Sequence, residues 1–215
     1  MLDIRRPKNA IYIAMAHIEK NLIRYLKMES ALNSFFACLD YCLPKCIQRE
    51  MQTQGNRPVA ACCKDRYHSI CDLEHPAFER LRAEREKRYG RPRDHAWADP
   101  VSPCQYHNPL KGCLLTTHKS PICIAFFCRK GIDFLRSRYG IYAYDYLGVY
   151  YALEWILTGD LPEKTYHEFR GSILDSTARI IEVNRQSPIY SQSVSPGKLE
   201  VQPHFGLYRQ QNGRR

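Results

Sequence analysis

Residues Cys104–Cys128 read CQYHNPLKGCLLTTHKSPICIAFFC, and the reading of this stretch decides how the rest of the chain must fold. Cys104, Cys113, Cys123 and Cys128 fall inside it, with His107 and His118 between them. Asn108-Pro109, Lys111-Gly112 and Lys119-Ser120-Pro121 are turn signals. Thiols carried on consecutive turns can converge on one point, which is what a soft metal ion or a cluster needs from a protein. The stretch therefore reads as irregular loop. The fold class expected around it is mainly α, a helical scaffold enclosing a cysteine-rich loop region.

A second group of cysteines lies upstream: Cys38, Cys42, Cys46, the adjacent pair Cys62-Cys63, and Cys71. The two groups are expected to meet around bound metal. Cys38-x3-Cys42-x3-Cys46 is not a radical-SAM triad, because its last gap is too long and no strand–helix repeat accompanies it. Vicinal cysteines bond to each other poorly. One of Cys62-Cys63 can ligate while its neighbour packs or serves another site.

The chain has 215 residues, of which 44% are hydrophobic and 25% charged, enough for one domain with a buried core. That domain is expected at residues 1–185, with its cysteine region at 38–128. From 186 to 215 the sequence is rich in Ser, Pro, Gln and Gly and reads as a flexible tail. A net charge of +10 favours an acidic partner, whether nucleic acid, an anionic membrane surface or another protein. Residues 1–8, MLDIRRPK, do not read as a secretion signal, so a cytoplasmic location is expected. In that compartment ten cysteines argue for metal or redox chemistry rather than disulfides.

Periodicity predicts a helix over 9–28, from Ile11, Met15, Ile18 and Leu22, and a second one capped by Ser30 and running through Leu39. On that second helix Cys38 and Cys42 share a face. Residues 51–61 read as loop. A charged helix follows over 77–89, with Phe78, Leu81 and Arg85 on one side. Arg80, Arg82, Arg85, Lys87 and Arg88 make this the most basic local stretch, a candidate contact for nucleic acid or an acidic protein. A solvated helix laced by i,i+4 charge pairs is the plainer reading. A short helix is predicted over Ile132–Tyr139, closed by Gly140. The apolar run over 141–158 contains Asp145 and Glu154, and reads as a buried core helix rather than a membrane span. Its tyrosines and Trp155 are expected in the core. A last helix, capped by Asp160 with Pro162 in its first turn, runs to about Asn184.

The cysteines admit an iron–sulfur cluster, 4Fe-4S favoured, held by four thiolates from separate loops. The alternative is zinc, held by four thiolates or by three and an imidazole. The short spacings include no C-x2-C knuckle, which counts against the common zinc ribbon or finger. Thiol catalysis would want C-x2-C, or a lone cysteine with a partner histidine, and neither can be singled out. No catalytic residue is assigned.

The Cys104–Cys128 stretch resembles the hallmark pattern of a bacterial family of zinc- or iron-chelating cysteine-cluster domains, to which the cysteine-rich part of flagellin lysine-N-methylase is related. The resemblance rests on Cys104, Cys113, Pro121, Cys123 and Cys128, with Cys42, Cys46, Cys62 and Cys63 as the nearest upstream equivalents. It implies a metal site drawn from those eight cysteines and, through that methylase, an iron–sulfur cluster. It leaves Cys38 and Cys71 as extras. His107 and His118 could serve as ligands or as neighbours of ligands, and a polar loop histidine is the plainer reading of each. No glycine-rich loop suited to S-adenosylmethionine is present, so methylase activity is not carried across. The expected protein is thus a metal-binding one, its cluster redox-active or structural, acting with another protein. The alternative is a structural zinc protein whose basic face binds nucleic acid.

Overall fold

The structure is a computed structural model, and it describes residues 6–39, 41, 48–56, 74–91, 104, 106–108 and 112–186. Buried Leu22, Tyr25, Met28, Leu32 and Phe35 recur at three- and four-residue steps, and the chain answers with one unbroken helix, α1 (Arg6–Ala37). Two helices meeting at Ser30 do not form. Ser30 is exposed and its carbonyl accepts the Ser34 hydroxyl at 3.0 Å, so it stays inside the helix. An exposed serine costs a helix about 0.5 kcal/mol. Each large apolar side chain that the continued stripe buries returns about 1.5–3 kcal/mol. α1 ends in a tightening turn, Leu39 N–H to Phe36 C=O. The helical face expected to be shared by Cys38 and Cys42 therefore does not form at Cys38, and Cys42 lies outside the described residues.

α2 (Gln48–Thr53) takes the start of the segment expected as loop. α3 (Pro76–Tyr89) matches the charged helix. It begins at His75, whose Nδ1 accepts the Ala77 N–H, and buries Ala77, Phe78, Leu81 and Arg85. A two-residue antiparallel pair follows, β1 (His107–Asn108) with β2 (Gly112–Cys113). The remaining elements are helices: α4 (Pro121–Ala125), α5 (Arg129–Tyr139), α6 (Tyr146–Thr158) and α7 (Glu163–Arg185).

α1 touches α3, α4, α6 and α7, so the core is built on it. Arg24 reaches the Leu161 carbonyl beyond the end of α6, while Phe35 stacks on Tyr144 just before its start, centroids 5.5 Å apart. α6 therefore runs antiparallel to α1. Tyr166 and Asn184, at opposite ends of α7, bond the carbonyls of Arg24 and Cys38, so α7 runs parallel to α1. Phe35, Phe36, Tyr41, Phe127, Phe134 and Tyr144 form an aromatic knot where α1 ends. Gly131 lets α5 start against it, since a Cβ there would strike the Phe127 ring. At the far end of α5, Gly140 takes φ 63° and closes the helix as its sequence position implies.

Two boundaries differ from expectation. α6 starts at Tyr146, not 141, because Asp145 is its N-cap and accepts the N–H groups of Leu147 and Gly148. Asp160 does not cap α7. Its carboxylate accepts the Thr158 hydroxyl, and Pro162 occupies the cap position. Among the described residues no helix is long and apolar enough to cross a membrane. Asp145→Ala should lower stability by about 1 kcal/mol, with Asp145→Asn close to wild type. Equal urea midpoints for all three proteins would refute this assignment of the α6 start.

Candidate metal centre

The loop from Leu114 to Ser120 joins Cys113 of β2 to Cys123 of α4, and its conformation is dictated by side chains from two helices. Glu29 of α1 is 1% exposed, and its carboxylate accepts the Thr117 hydroxyl at 3.1 Å, the His118 N–H at 2.9 Å and the Lys119 N–H at 3.1 Å. Tyr25, one turn earlier, donates to the Lys119 carbonyl at 2.6 Å. Asn33, one turn later, accepts from Lys119 Nζ at 2.9 Å. From α3, the Tyr89 hydroxyl accepts the N–H groups of Thr116 and Thr117. Ser120 caps α4 through the Cys123 N–H.

The thiols gather beside this loop. Cys104 is buried with Tyr106 and Leu115, and Cys113 packs against them. The Cys113 thiol donates to the Leu115 carbonyl at 3.7 Å. Cys123 feels the charges of both Cys104 and Cys113. Burial pushes the Cys123 thiol up to about 12, the two neighbouring thiols push the same way, and Ser120 and Arg85 oppose them. Burial also raises Cys113, against the pull of Lys119. These thiols are protonated at neutral pH unless a cation displaces their protons. Burial raises Glu29 as well, despite its three donors.

Arg85 is the charged centre of the region. Its guanidinium lies over the Tyr106 ring, 5.0 Å from the centroid, and its field reaches Tyr25, Cys123 and His118. His118 has a left-handed backbone, φ 58°, and a buried Nδ1 with no hydrogen-bond partner. Burial, then Arg88 and Arg85, lowers its basicity, so the ring is neutral at pH 7. A left-handed non-glycine residue costs roughly 1–2 kcal/mol, and an unsatisfied buried polar atom about 1–3 kcal/mol.

Of the eight expected ligands, Cys104 and Cys113 pack in one small cluster, and Cys123 lies on α4. Cys128 stands half-buried at the N-cap of α5, without a side-chain cap bond. Cys42, Cys46, Cys62 and Cys63 lie outside the described residues, as does Cys71. Cys38 is half-buried at the end of α1, its thiol raised by burial. His107 is paired in register with Cys113. Among the described residues, no three His, Cys, Asp or Glu side chains are disposed to hold a metal ion. Cys104, Cys113 and Cys123 are soft donors by chemistry, but the described residues alone do not assemble them into a metal site.

Sequence reasoning missed Glu29, although its signal was present: it shares the helical phase of Leu22, Tyr25 and Leu32 and so interrupts an apolar stripe. It also placed Arg85 among five cations of a basic face, whereas Arg85 is buried. Arg80 is held by Glu19 at 2.6 Å and Glu84 at 2.7 Å. Arg82, Lys87 and Arg88 remain exposed. The tyrosines and Trp155 expected in the core are divided. Tyr144 is buried, but Tyr142, Tyr151 and Trp155 are exposed.

The chain matches no family model, no curated protein and no solved structure. Glu29→Ala would strip three donors of a buried acceptor and should destabilise the protein by at least about 3 kcal/mol. It should also speed reaction of the Cys113 and Cys123 thiols with a water-soluble disulfide reagent. An unchanged thiol reaction rate would show that the loop holds its shape without Glu29.

Proposed function

We propose that this is a metal-binding protein whose centre is founded on Cys104, Cys113 and Cys123 and completed by thiols from among Cys42, Cys46, Cys62, Cys63 and Cys128. An iron–sulfur cluster, 4Fe-4S in the favoured form, is the cofactor that this many cysteines suit best, and zinc is the alternative. The observation that supports the reading is that buried Cys104 and half-buried Cys113 pack in one small cluster, and that half-buried Cys123, from a separate point of the chain, feels both of them. Thiols packed this way cannot all ionise without a cation among them. Arg85 and Lys119 would offset the negative charge that metal-bound thiolates leave behind. The cluster or metal would supply electron transfer or structural cross-linking, while the chain holds the donors and excludes water.

Action with another protein is supported by α6. Leu147, Tyr151 and Trp155 lie at i,i+4 spacing and are each about half exposed, and Tyr151 stacks on Trp155 with centroids 6.3 Å apart. The single charged residue of α6, Glu154, is buried, so this face is apolar. The nucleic-acid reading is less well supported, because Arg85 is buried and Arg80 is paired.

Anaerobic purification followed by absorbance, iron, sulfide and zinc analysis of one sample tests the proposal. Iron and sulfide with a broad visible band are expected. A colourless protein carrying zinc would make the site structural, and a folded protein without metal would refute it. Cys123→Ser should lower both metal content and Tm. If both stay at wild-type values, Cys123 is not a ligand.

A further inference from the structure

Gly171 sits in the interior of α7, where glycine weakens a helix relative to alanine. Packing does not require it, since a Cβ there would meet no heavy atom within 4 Å. What it borders is an open cleft of about 730 Å3 between α7 and the turn that joins α5 to α6, a volume in the usual range of small-molecule sites. On the other wall, a Cβ at Gly140 would come within 2.8 Å of Arg179 Nη2, so the bare turn lets the guanidinium lie against it. Two glycines thus keep side chains out of one cleft from both sides.

The charges of this cleft are left unspent. Asp175 and Arg179 stand one turn apart on α7, the i,i+4 order in which opposite charges usually pair. α7 forms such pairs at Lys164–Glu168 and Glu163–His167, but among the described residues none joins Asp175 to Arg179. The hydroxyls of Ser172 and Ser176, also in the lining, make no hydrogen bond among the described residues. Tyr142, across the cleft from α7, is 72% exposed. A lone anion at Arg179 would face the carboxylates of Glu168 and Asp175, and a lone cation at Asp175 would face the guanidinium. A molecule carrying both charges meets a partner for each.

We propose that this cleft binds a free amino acid with an aromatic side chain. Arg179 and the two serine hydroxyls hold its carboxylate, Asp175 holds its ammonium, and Tyr142 offers its ring a stacking surface. The missing Cβ of Gly171 lets the backbone of the ligand approach the helix. The site lies apart from the cysteines and stands independently of the metal-binding reading.

The test is equilibrium dialysis of the full chain against L-phenylalanine, with phenethylamine and 3-phenylpropionate as single-charge analogues. Saturable one-to-one binding of L-phenylalanine is expected, with each analogue at least about tenfold weaker. Asp175 and Arg179 are exposed, so their neutral variants keep the fold. Arg179→Gln should weaken L-phenylalanine by at least about tenfold and leave phenethylamine no weaker. Asp175→Asn should also weaken L-phenylalanine, and leave 3-phenylpropionate no weaker. Gly171→Ala should raise the Tm of the free protein by about 2–4 °C, and Gly171→Leu should abolish binding with the far-UV circular dichroism unchanged. Absence of saturable L-phenylalanine binding, or analogues that bind as tightly as L-phenylalanine, would overturn the proposal. Full binding by a folded Gly171→Leu protein would overturn it as well.

Discussion

A carboxylate buried in the middle of a helix is the constraint on which the site region depends. Glu29 is almost wholly removed from water. A charge in that position is tolerable only if its oxygens are filled with donors. The donors are a hydroxyl and two consecutive N–H groups of Thr117, His118 and Lys119. Tyr25 and Asn33, four residues to either side on the same face of α1, both engage Lys119. A polar row along one helix thus grips one short segment of loop, and that segment fixes where Cys113 and Cys123 stand. The scaffold positions Cys113 through this grip, while Cys123 is carried on α4, which the gripped segment leads into.

The helical architecture was legible because helices announce themselves by period. α3 and the C-terminal part of α7 follow their apolar spacing, and Gly140 marks the end of α5. What was misjudged were places where a polar residue has two structural meanings. Ser30 caps helices well but is also tolerated on an exposed helical face, and the apolar stripe continuing through Phe35 decided the matter. Asp145 looks like an interruption within an apolar helix, but its side chain makes it the beginning of one. Of the candidate site, the packing of Cys104 with Cys113 is consistent with the turn signals between them. Glu29 and Arg85 were not legible in this way, because their partners lie far along the chain, and a lone charge in an apolar stripe says only that some partner exists.

Arg85 shows how far tertiary context redirects a charge. In sequence it belongs to a run of cations, and a basic helix suggests a face for phosphates. In the fold it turns inward onto the Tyr106 ring, and its long stem lies with Phe78 and Leu81 in the buried face of α3. Arg80, on the outside of the same helix, is bound by carboxylates of α1 and α3. The charge of Arg85 also pulls the Cys123 thiol down, against the larger upward push of burial.

The same electrostatics bear on the ligand set. Four thiolates around a divalent ion leave two negative charges in the interior, and three thiolates with a neutral imidazole leave one. The described interior already holds two carboxylates, Glu29 and Glu154, against two cations, Arg85 and Lys119. It is close to charge balance before any thiol ionises, so each further thiolate adds charge that the protein must neutralise at low dielectric.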